Sequence, residues 1–131
     1  MPHETLWEDK GVYWKMSGCV DLIEINQMNN RWYSDRRFLA SEYCIWDASG
    51  IDRLAMSESQ ADIPAAHDRA AADMKPDLKA ALIVGDAATR KLAEAFIASS
   101  KRLHSSWDFG LFDTEAQARA WVAFATEPAC H

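Results

Sequence analysis

An apolar run lies near the middle of the chain: Glu42-Tyr43-Cys44-Ile45-Trp46-Asp47-Ala48-Ser49-Gly50. Tyr43 and Ile45 alternate with Cys44 and Trp46, so both faces of an extended segment would be apolar, as in a strand covered on both sides. The run stops at Asp, Ser and Gly, which favour turns. We therefore predict a central buried strand that leaves its sheet near Asp47.

The composition indicates one folded domain over residues 1–131. A chain of 131 residues, 49% of them apolar and six of them tryptophan, buries about two thirds of its unfolded surface, which is enough for one core. Only the ends, residues 1–4 and 126–131, are expected to be loosely ordered.

Charge, apolar runs and cysteines exclude several classes of protein. Twenty acidic and fourteen basic residues give a net charge of −6, which disfavours nucleic acid as a partner. The longest clearly apolar run, residues 80–84, is far shorter than the ~20 residues of a membrane span, and we expect a cytoplasmic protein without a transmembrane segment. The spacing of Cys19, Cys44 and Cys130 fits reduced thiols rather than disulfides.

The amino-terminal part predicts a hairpin followed by a helix. Two β-rich runs, residues 5–8 and 12–17, flank a short loop that contains Gly11, and Gly18 is expected to end the second strand. Apolar residues then recur at helical spacing over residues 21–33, where Asp21 is placed to cap the first turn.

A second helix is predicted to begin at Ser57, which forms a capping-box pattern with Gln60. Pro64 predicts either a kink or a fresh start capped by Asp62. The residues available for a core stripe on this helix are Ile63, Ala66, Ala70 and Met74.

The carboxyl-terminal part predicts a buried strand over residues 78–84, a helix capped by Asp86, and a strand over residues 107–112 near an edge of the sheet. A last helix would be capped by Asp113 and ended by Pro128. Its packing residues would be Ala116, Ala120, Trp121 and Phe124.

The resulting order is β-β-α-β-α-β-α-β-α. Strands that alternate with helices are joined by right-handed crossovers and pair in parallel. The predicted fold is therefore α/β, with a mainly parallel five-stranded sheet whose amino-terminal strand is antiparallel.

This pattern resembles the STAS and SpoIIAA-like domains, and among them the stand-alone bacterial SpoIIAA-like proteins. The matching segments are the hairpin 7–14 with Gly18, the strand 43–47, the helix led by Ser57, the strand 82–84, and residues 112–113 with Ala118 and Trp121. The resemblance implies strands laid down roughly in sequence order. It also implies members that bind protein partners, nucleotides or, in the related lipid-carrier fold, lipids.

Ser57 is the candidate modification site that the resemblance implies. Anti-sigma-factor antagonists of this family are phosphorylated on a serine that begins the helix after the central strand, in an Asp-Ser-Ser-Gly-like motif. The segment here is Ala55-Met56-Ser57-Glu58-Ser59-Gln60, without the preceding Asp and the following Gly. The alternative interpretation is that Ser57 is an ordinary helix cap.

Three carboxylates follow predicted strands, at the sheet edge where ligands bind in open α/β folds. Asp86 and Asp113 are explained as helix caps, whereas Asp47, with Ser49 beside it, is a candidate polar contact. The four histidines, His3, His67, His104 and His131, are too far apart for a metal motif. Residues 85–89, with one glycine and Lys91 at the wrong offset, are only weakly similar to a phosphate loop, so we predict no metal and no cofactor.

The tryptophans are the least ordinary feature of the sequence. They either pack in the core or line an apolar pocket or patch for a lipid, a hydrophobic ligand or a second copy of the chain in a homodimer. We predict a non-enzymatic binding or regulatory module for an apolar or amphipathic small molecule or a protein partner, with ligand contacts at Trp14, Tyr43, Trp46 and Asp47. The alternatives are a phospho-switch at Ser57 and, less favoured, an enzyme that uses Asp47 and Ser49.

Overall fold

A computed structural model describes residues 3–126, with side chains up to residue 123. Its elements in chain order are β1 His3–Trp7, β2 Gly11–Asp21, α1 Leu22–Ser34, α2 Arg37–Ala40, β3 Tyr43–Ala55, a 3₁₀ turn Glu58–Ala61, α3 Asp62–Met74, β4 Lys79–Ile83, α4 Ala87–Arg102, β5 Asp108–Phe112 and α5 Glu115–Thr126. The predicted α/β order is confirmed, with the short helix α2 as an addition.

The five strands form one sheet in the order β1-β2-β3-β4-β5. β1 pairs antiparallel with β2, and the other pairs are parallel. Strand order therefore follows chain order, β3 is central, and β5 lies at an edge as predicted.

The larger core lies between the sheet and helices α1 to α4. Trp14 of β2 meets Trp32 of α1 edge to face, with 5.1 Å between ring centroids, and Trp32 in turn lies 4.7 Å from the ring of Phe38 in α2. On the same side Phe96 of α4 packs on Phe109 of β5 at 5.3 Å. Edge-to-face contacts at these distances are favourable beyond the apolar area they bury.

The opposite face of the sheet is covered by α5 alone among the described helices. Ala118 and Val122 of α5 pack on a smaller cluster that includes Tyr13, Ile45 and Ile83, one each from β2, β3 and β4. The cover is thus unequal, with four helices on one face and one on the other.

β2 and β3 are longer than the sequence predicts. Gly18 does not end β2, because the strand continues to Asp21 through register shifts at positions 15–17 and 18–19, where Gly18 adopts a φ of 67°. Only glycine enters this left-handed region without steric cost. β3 likewise does not stop at residues 47–50, since the second half of β2 pairs with it as far as Ala55.

The helix caps confirm some predictions and correct others. Asp21 caps α1 and Asp86 caps α4, each accepting a hydrogen bond from a backbone N–H three residues on. Asp113 is not a cap, because Thr114 accepts the N–H of Gln117 at the start of α5. Asp113 pairs with Arg90 of α4 instead.

The predicted core stripe of α3 is wrong. α3 continues directly from the 3₁₀ turn at Asp62, and the carboxylate of Asp62 accepts hydrogen bonds from Ser99 and Arg102 rather than capping a new helix. Ile63 and Met74 are exposed. The buried face consists of Pro64, Ala65, Asp68, Ala71 and Ala72. It includes a carboxylate because Tyr33 of α1 donates a hydrogen bond to Asp68.

α5 buries Ala118 and Val122, with Trp121 half-buried, whereas Ala116 and Ala120 are exposed. The side chain of Phe124, and Pro128 and Cys130, lie outside the described residues. Among the described residues, no helix has the length and apolar character needed to cross a bilayer. β1 takes in His3 and Glu4, two residues of the stretch 1–4 for which loose order was expected.

Candidate functional site

A cavity of about 90 Å³ lies between the sheet and helices α1, α3 and α4. Its wall is almost entirely apolar. The lining residues are Met16, Ile25, Asn29, Trp46, Ala48, Ile51, Leu54, Met56, Pro64, Asp68, Ala80, Leu82, Ile83, Val84, Thr89, Leu92, Ala93, Phe96 and Phe109. Leu54, Met56 and Phe96 are only half-buried, so the cavity wall reaches the surface.

The cavity exists because small and large residues alternate on the surfaces that face each other. β3 and β4 contribute Ala48 and Ala80, and α4 contributes Ala93, at positions where longer side chains would fill the space. A void lined by apolar groups loses dispersion contacts and is stabilised when an apolar molecule fills it. The wall is therefore suited to an apolar body rather than to a string of ordered waters.

Asp68, a buried residue of this wall, is hydrogen-bonded to the half-buried Tyr33 of α1. Asp68 is 5% exposed, and the Tyr33 hydroxyl donates a hydrogen bond to its carboxylate. Burial raises the pKa of Asp68 to about 7, although the hydrogen bond from Tyr33 works in the opposite direction. Burial and the neighbouring carboxylate also raise the pKa of Tyr33, so its hydroxyl remains protonated.

The four predicted ligand residues are not brought together. Trp46 lines the cavity, and Trp14 stacks against Trp46 with 4.4 Å between ring centroids but is itself sealed in the core at 2% exposed. Tyr43 and Asp47 are on the opposite, α5 face of the sheet because they alternate with Trp46 along β3.

Asp47 is buried and fully engaged on that face. The Tyr13 hydroxyl donates to one carboxylate oxygen, and the Ser49 hydroxyl and N–H donate to the other at 2.6 and 3.0 Å. Burial raises the pKa of Asp47, but these hydrogen bonds outweigh it and hold the pKa below its ordinary value. Asp47 is thus an ionised acceptor held by its neighbours.

Tyr43 belongs to an ion-pair network at the edge of α5. Its hydroxyl donates to Glu8, and Arg119 donates to Glu8 at 2.8 Å and to Glu115 at 2.6 Å. The hydrogen bond from Arg119 lowers the pKa of Glu8, and burial together with the Glu8 carboxylate raises the pKa of Tyr43 to about 12. These groups satisfy one another and tie α5 to the β1–β2 hairpin.

Ser57 is exposed at the start of the 3₁₀ turn, and the capping box with Gln60 is present. The Gln60 side-chain oxygen accepts the Ser57 N–H at 2.9 Å, and the Ser57 hydroxyl lies 3.0 Å from that of Ser59. No group of three or more His, Cys, Asp or Glu side chains within the described residues is arranged to hold a metal ion.

Sequence reasoning missed three polar residues of the cavity region: Asn29, Tyr33 and Asp68. Helical spacing on α1 leaves Met28 and Asn29 as equal candidates for the core, and both are buried at 1% exposed. Asp68 lies four residues after Pro64 and four before Ala72, which is the spacing of one helical face. The many alanines of α3 obscure this helical spacing, because alanine is compatible with both the buried and the exposed face of a helix.

Two solved structures are similar to this chain over nearly its whole length. The anti-sigma factor antagonist SpoIIAA in its unphosphorylated form has a TM-score of 0.61 at 12% identity, over 92% of this chain and 97% of that chain. An uncharacterised protein of the DUF3478 family with a SpoIIAA-like fold, from Shewanella loihica PV-4, has a TM-score of 0.53 at 14% identity, over 92% and 91%. This chain has a SpoIIAA-like fold.

The fold that the sequence resembles is thereby confirmed, including strands laid down in chain order. At these identities the likeness concerns the SpoIIAA-like fold alone. The sequence matches no protein-family description and no curated protein. The function of this SpoIIAA-like chain has to be argued from its own site.

Proposed function

We propose that this protein is a non-enzymatic SpoIIAA-like binding module that holds a small apolar or amphipathic molecule in the cavity between the sheet and α1, α3 and α4. The observation that carries the proposal is the cavity itself, about 90 Å³ of space behind an almost wholly apolar wall. The cavity is smaller than the engineered cavities of about 150 Å³ that stay dry and hold benzene, so its ligand should be no larger than a small ring or a short chain. The cytoplasmic location expected from the sequence is part of this proposal.

Trp46 is the predicted ligand residue that this proposal retains. It lines the cavity and is backed by Trp14, so its ring offers a rigid apolar surface with little conformational freedom to lose. Tyr43 and Asp47 have no part in it, since they are engaged on the other face.

The test uses toluene as the probe and amide chemical shifts as the readout. We expect saturable shifts around the cavity in the wild-type chain and their loss in Ala93→Phe, which fills the space from α4. Ala98→Phe is the matched control, since Ala98 is an exposed residue of the same helix that does not line the cavity. Absence of saturable binding by the wild-type chain would reject the proposal.

Native mass spectrometry of protein purified from cells complements the titration. A non-covalent adduct that is lost on denaturation and absent from Ala93→Phe would identify the natural occupant. A bare mass combined with failure of toluene to bind would favour a protein partner instead.

A second candidate function is a phospho-switch at Ser57. The observation that favours it is the exposed position of Ser57 at a helix start, where free amides favour an anion. Glu58 is exposed beside it and opposes a phosphate. An added mass of about 80 Da that disappears in Ser57→Ala would support the phospho-switch. If all of the protein purified from cells lacks this added mass, the phospho-switch is rejected.

A further inference from the structure

Asn29 is the least satisfied polar group in the cavity wall. It is 1% exposed, and among the described residues neither its Oδ1 nor its Nδ2 has a hydrogen-bond partner. Buried polar groups are almost always paired, because an unpaired one has lost water and gained nothing. Since Asn29 lines the cavity, a molecule held there is in a position to satisfy both atoms.

The neighbours of Asn29 define a polar end to the cavity. Asn29 lies one helical turn before Tyr33 on α1, and Tyr33 donates to Asp68, which also lines the cavity. The Tyr33 hydroxyl is already used by Asp68. The side chain of Thr89, the other polar residue of the wall, hydrogen-bonds to Asp86. The amide of Asn29 therefore remains the unpaired group with both a donor and an acceptor to offer.

The charge of the lining favours an uncharged ligand. Asp68 is the one ionisable residue among the lining residues described, and no lysine, arginine or histidine is among them. An anionic head group would be buried beside a carboxyl group without a counter-ion, which is strongly unfavourable. A cationic head group would have to compete with Tyr33 for Asp68 and lose its own hydration.

A hydroxyl group matches the Asn29 amide. It has one O–H donor for the amide oxygen and lone pairs for the amide N–H, so a single oxygen atom can satisfy both sides of the side chain. Apart from Asn29, Asp68 and Thr89, the wall offers only apolar contact, for example from Trp46 and Phe96.

We propose that the cavity takes a small uncharged molecule with an apolar body and a hydroxyl group, and that the Asn29 amide selects for the hydroxyl. This inference rests on the proposed function and adds the chemistry of the ligand. Asn29 thereby becomes a specificity residue rather than a flaw in the core.

The experiment compares phenol with toluene, which have nearly the same shape but differ by a hydroxyl in place of a methyl group. Dissociation constants come from amide chemical-shift titrations of the wild-type chain and of two variants. We expect phenol to bind roughly three- to tenfold more tightly than toluene to the wild type, the worth of about one net hydrogen bond. In Asn29→Leu the preference should vanish or reverse.

Asn26→Leu is the matched control on the same helix, because Asn26 also has a buried side-chain oxygen without a partner but does not line the cavity. It should keep the preference for phenol. Asn29→Ala serves as a second variant at the decisive position, and circular dichroism confirms that each variant is folded. The wild-type comparison stands even if both Asn29 variants fail to fold.

The outcomes separate this inference from the proposed function. Equal dissociation constants for phenol and toluene in the wild type, or an undiminished preference in Asn29→Leu, would overturn the inference and leave the apolar site standing. Tighter binding of benzylamine than of phenol would overturn it in favour of a cation on Asp68. If neither phenol nor toluene binds, the proposed function fails and the inference with it.

Discussion

Replacing Asp68 by asparagine should change how the stability of this protein depends on pH. Burial raises the pKa of Asp68 from 3.8 to about 7. An acid whose pKa is raised on folding holds more protons in the folded chain than in the unfolded one. Its contribution to stability is therefore fully present below the unfolded pKa and is lost as the pH rises through the folded pKa.

The size of the effect follows from the two pKa values. The difference between 3.8 and about 7, at about 1.4 kcal/mol for each pH unit, amounts to about 4 kcal/mol between strong acid and mild base. Between about pH 5 and about pH 8, roughly 2 to 3 kcal/mol of this change in the free energy of unfolding should be seen. Asparagine has the same shape as aspartate, still accepts the hydrogen bond from Tyr33 and does not ionise. The free energy of unfolding of Asp68→Asn should therefore rise relative to that of the wild type as the pH rises.

The measurement is urea denaturation followed by circular dichroism at about pH 5, 6, 7 and 8. The quantity of interest is the difference in free energy of unfolding between Asp68→Asn and the wild type, because it cancels the titration of the other groups. Asp73→Asn, an exposed position on the same helix, provides a control whose difference should stay flat. A difference for Asp68→Asn that is equally flat would refute a raised pKa at Asp68.

Further substitutions test the packing on both faces of the sheet by the same denaturation assay. Gly11→Ala should lower the free energy of unfolding by several kcal/mol, because a Cβ there would lie 2.4 Å from the carbonyl oxygen of Tyr43. Gly18→Ala should lower it by only about 1 kcal/mol, because the space around Gly18 is open and only its φ of 67° is unfavourable for alanine. Equal losses for the two variants would contradict this geometry. Trp14→Ala should lower the free energy of unfolding by about 3–5 kcal/mol, because Trp14 is buried in the core. A loss below about 1 kcal/mol would mean that Trp14 is not packed as described. Tyr13→Phe removes one hydrogen-bond donor to Asp47 and should lower the free energy of unfolding by about 1 kcal/mol at neutral pH. This loss should shrink in acid, where the Asp47 carboxylate is protonated. A loss that does not depend on pH would exclude the Tyr13–Asp47 hydrogen bond.

The order and type of the elements could be predicted because the periodic signals in this chain are strong. The apolar run at residues 42–46 and the cap at Asp86 each depend on local residues, and both are found where the sequence places them. The ends of the strands were harder to predict from the sequence. Residues 47–50 have the composition of a turn, yet they continue β3, because the pairing that decides their conformation comes from β2.

The candidate site was only partly accessible from the sequence. Trp46 could be chosen because it is a large aromatic on a central strand. Asn29 could be placed only as an alternative to Met28 on the core face of α1. Asp68 could not be chosen, since a polar residue on a helix is read as exposed unless its burial is known, and burial depends on how α1 and α3 meet. Asp47 drew attention as a strand-end carboxylate, but its partners Tyr13 and Ser49 engage it on the face away from the cavity.

The unequal cover of the sheet has a consequence for how the chain folds during synthesis. Because strand order follows chain order, each strand finds its partner among residues already made, and the side carrying α1 to α4 can be assembled progressively. The other side keeps Ile45 and Ile83 open until α5 has left the ribosome. Nascent or truncated chains that lack α5 would present an apolar sheet face, which is the kind of surface that chaperones recognise and that aggregates form on.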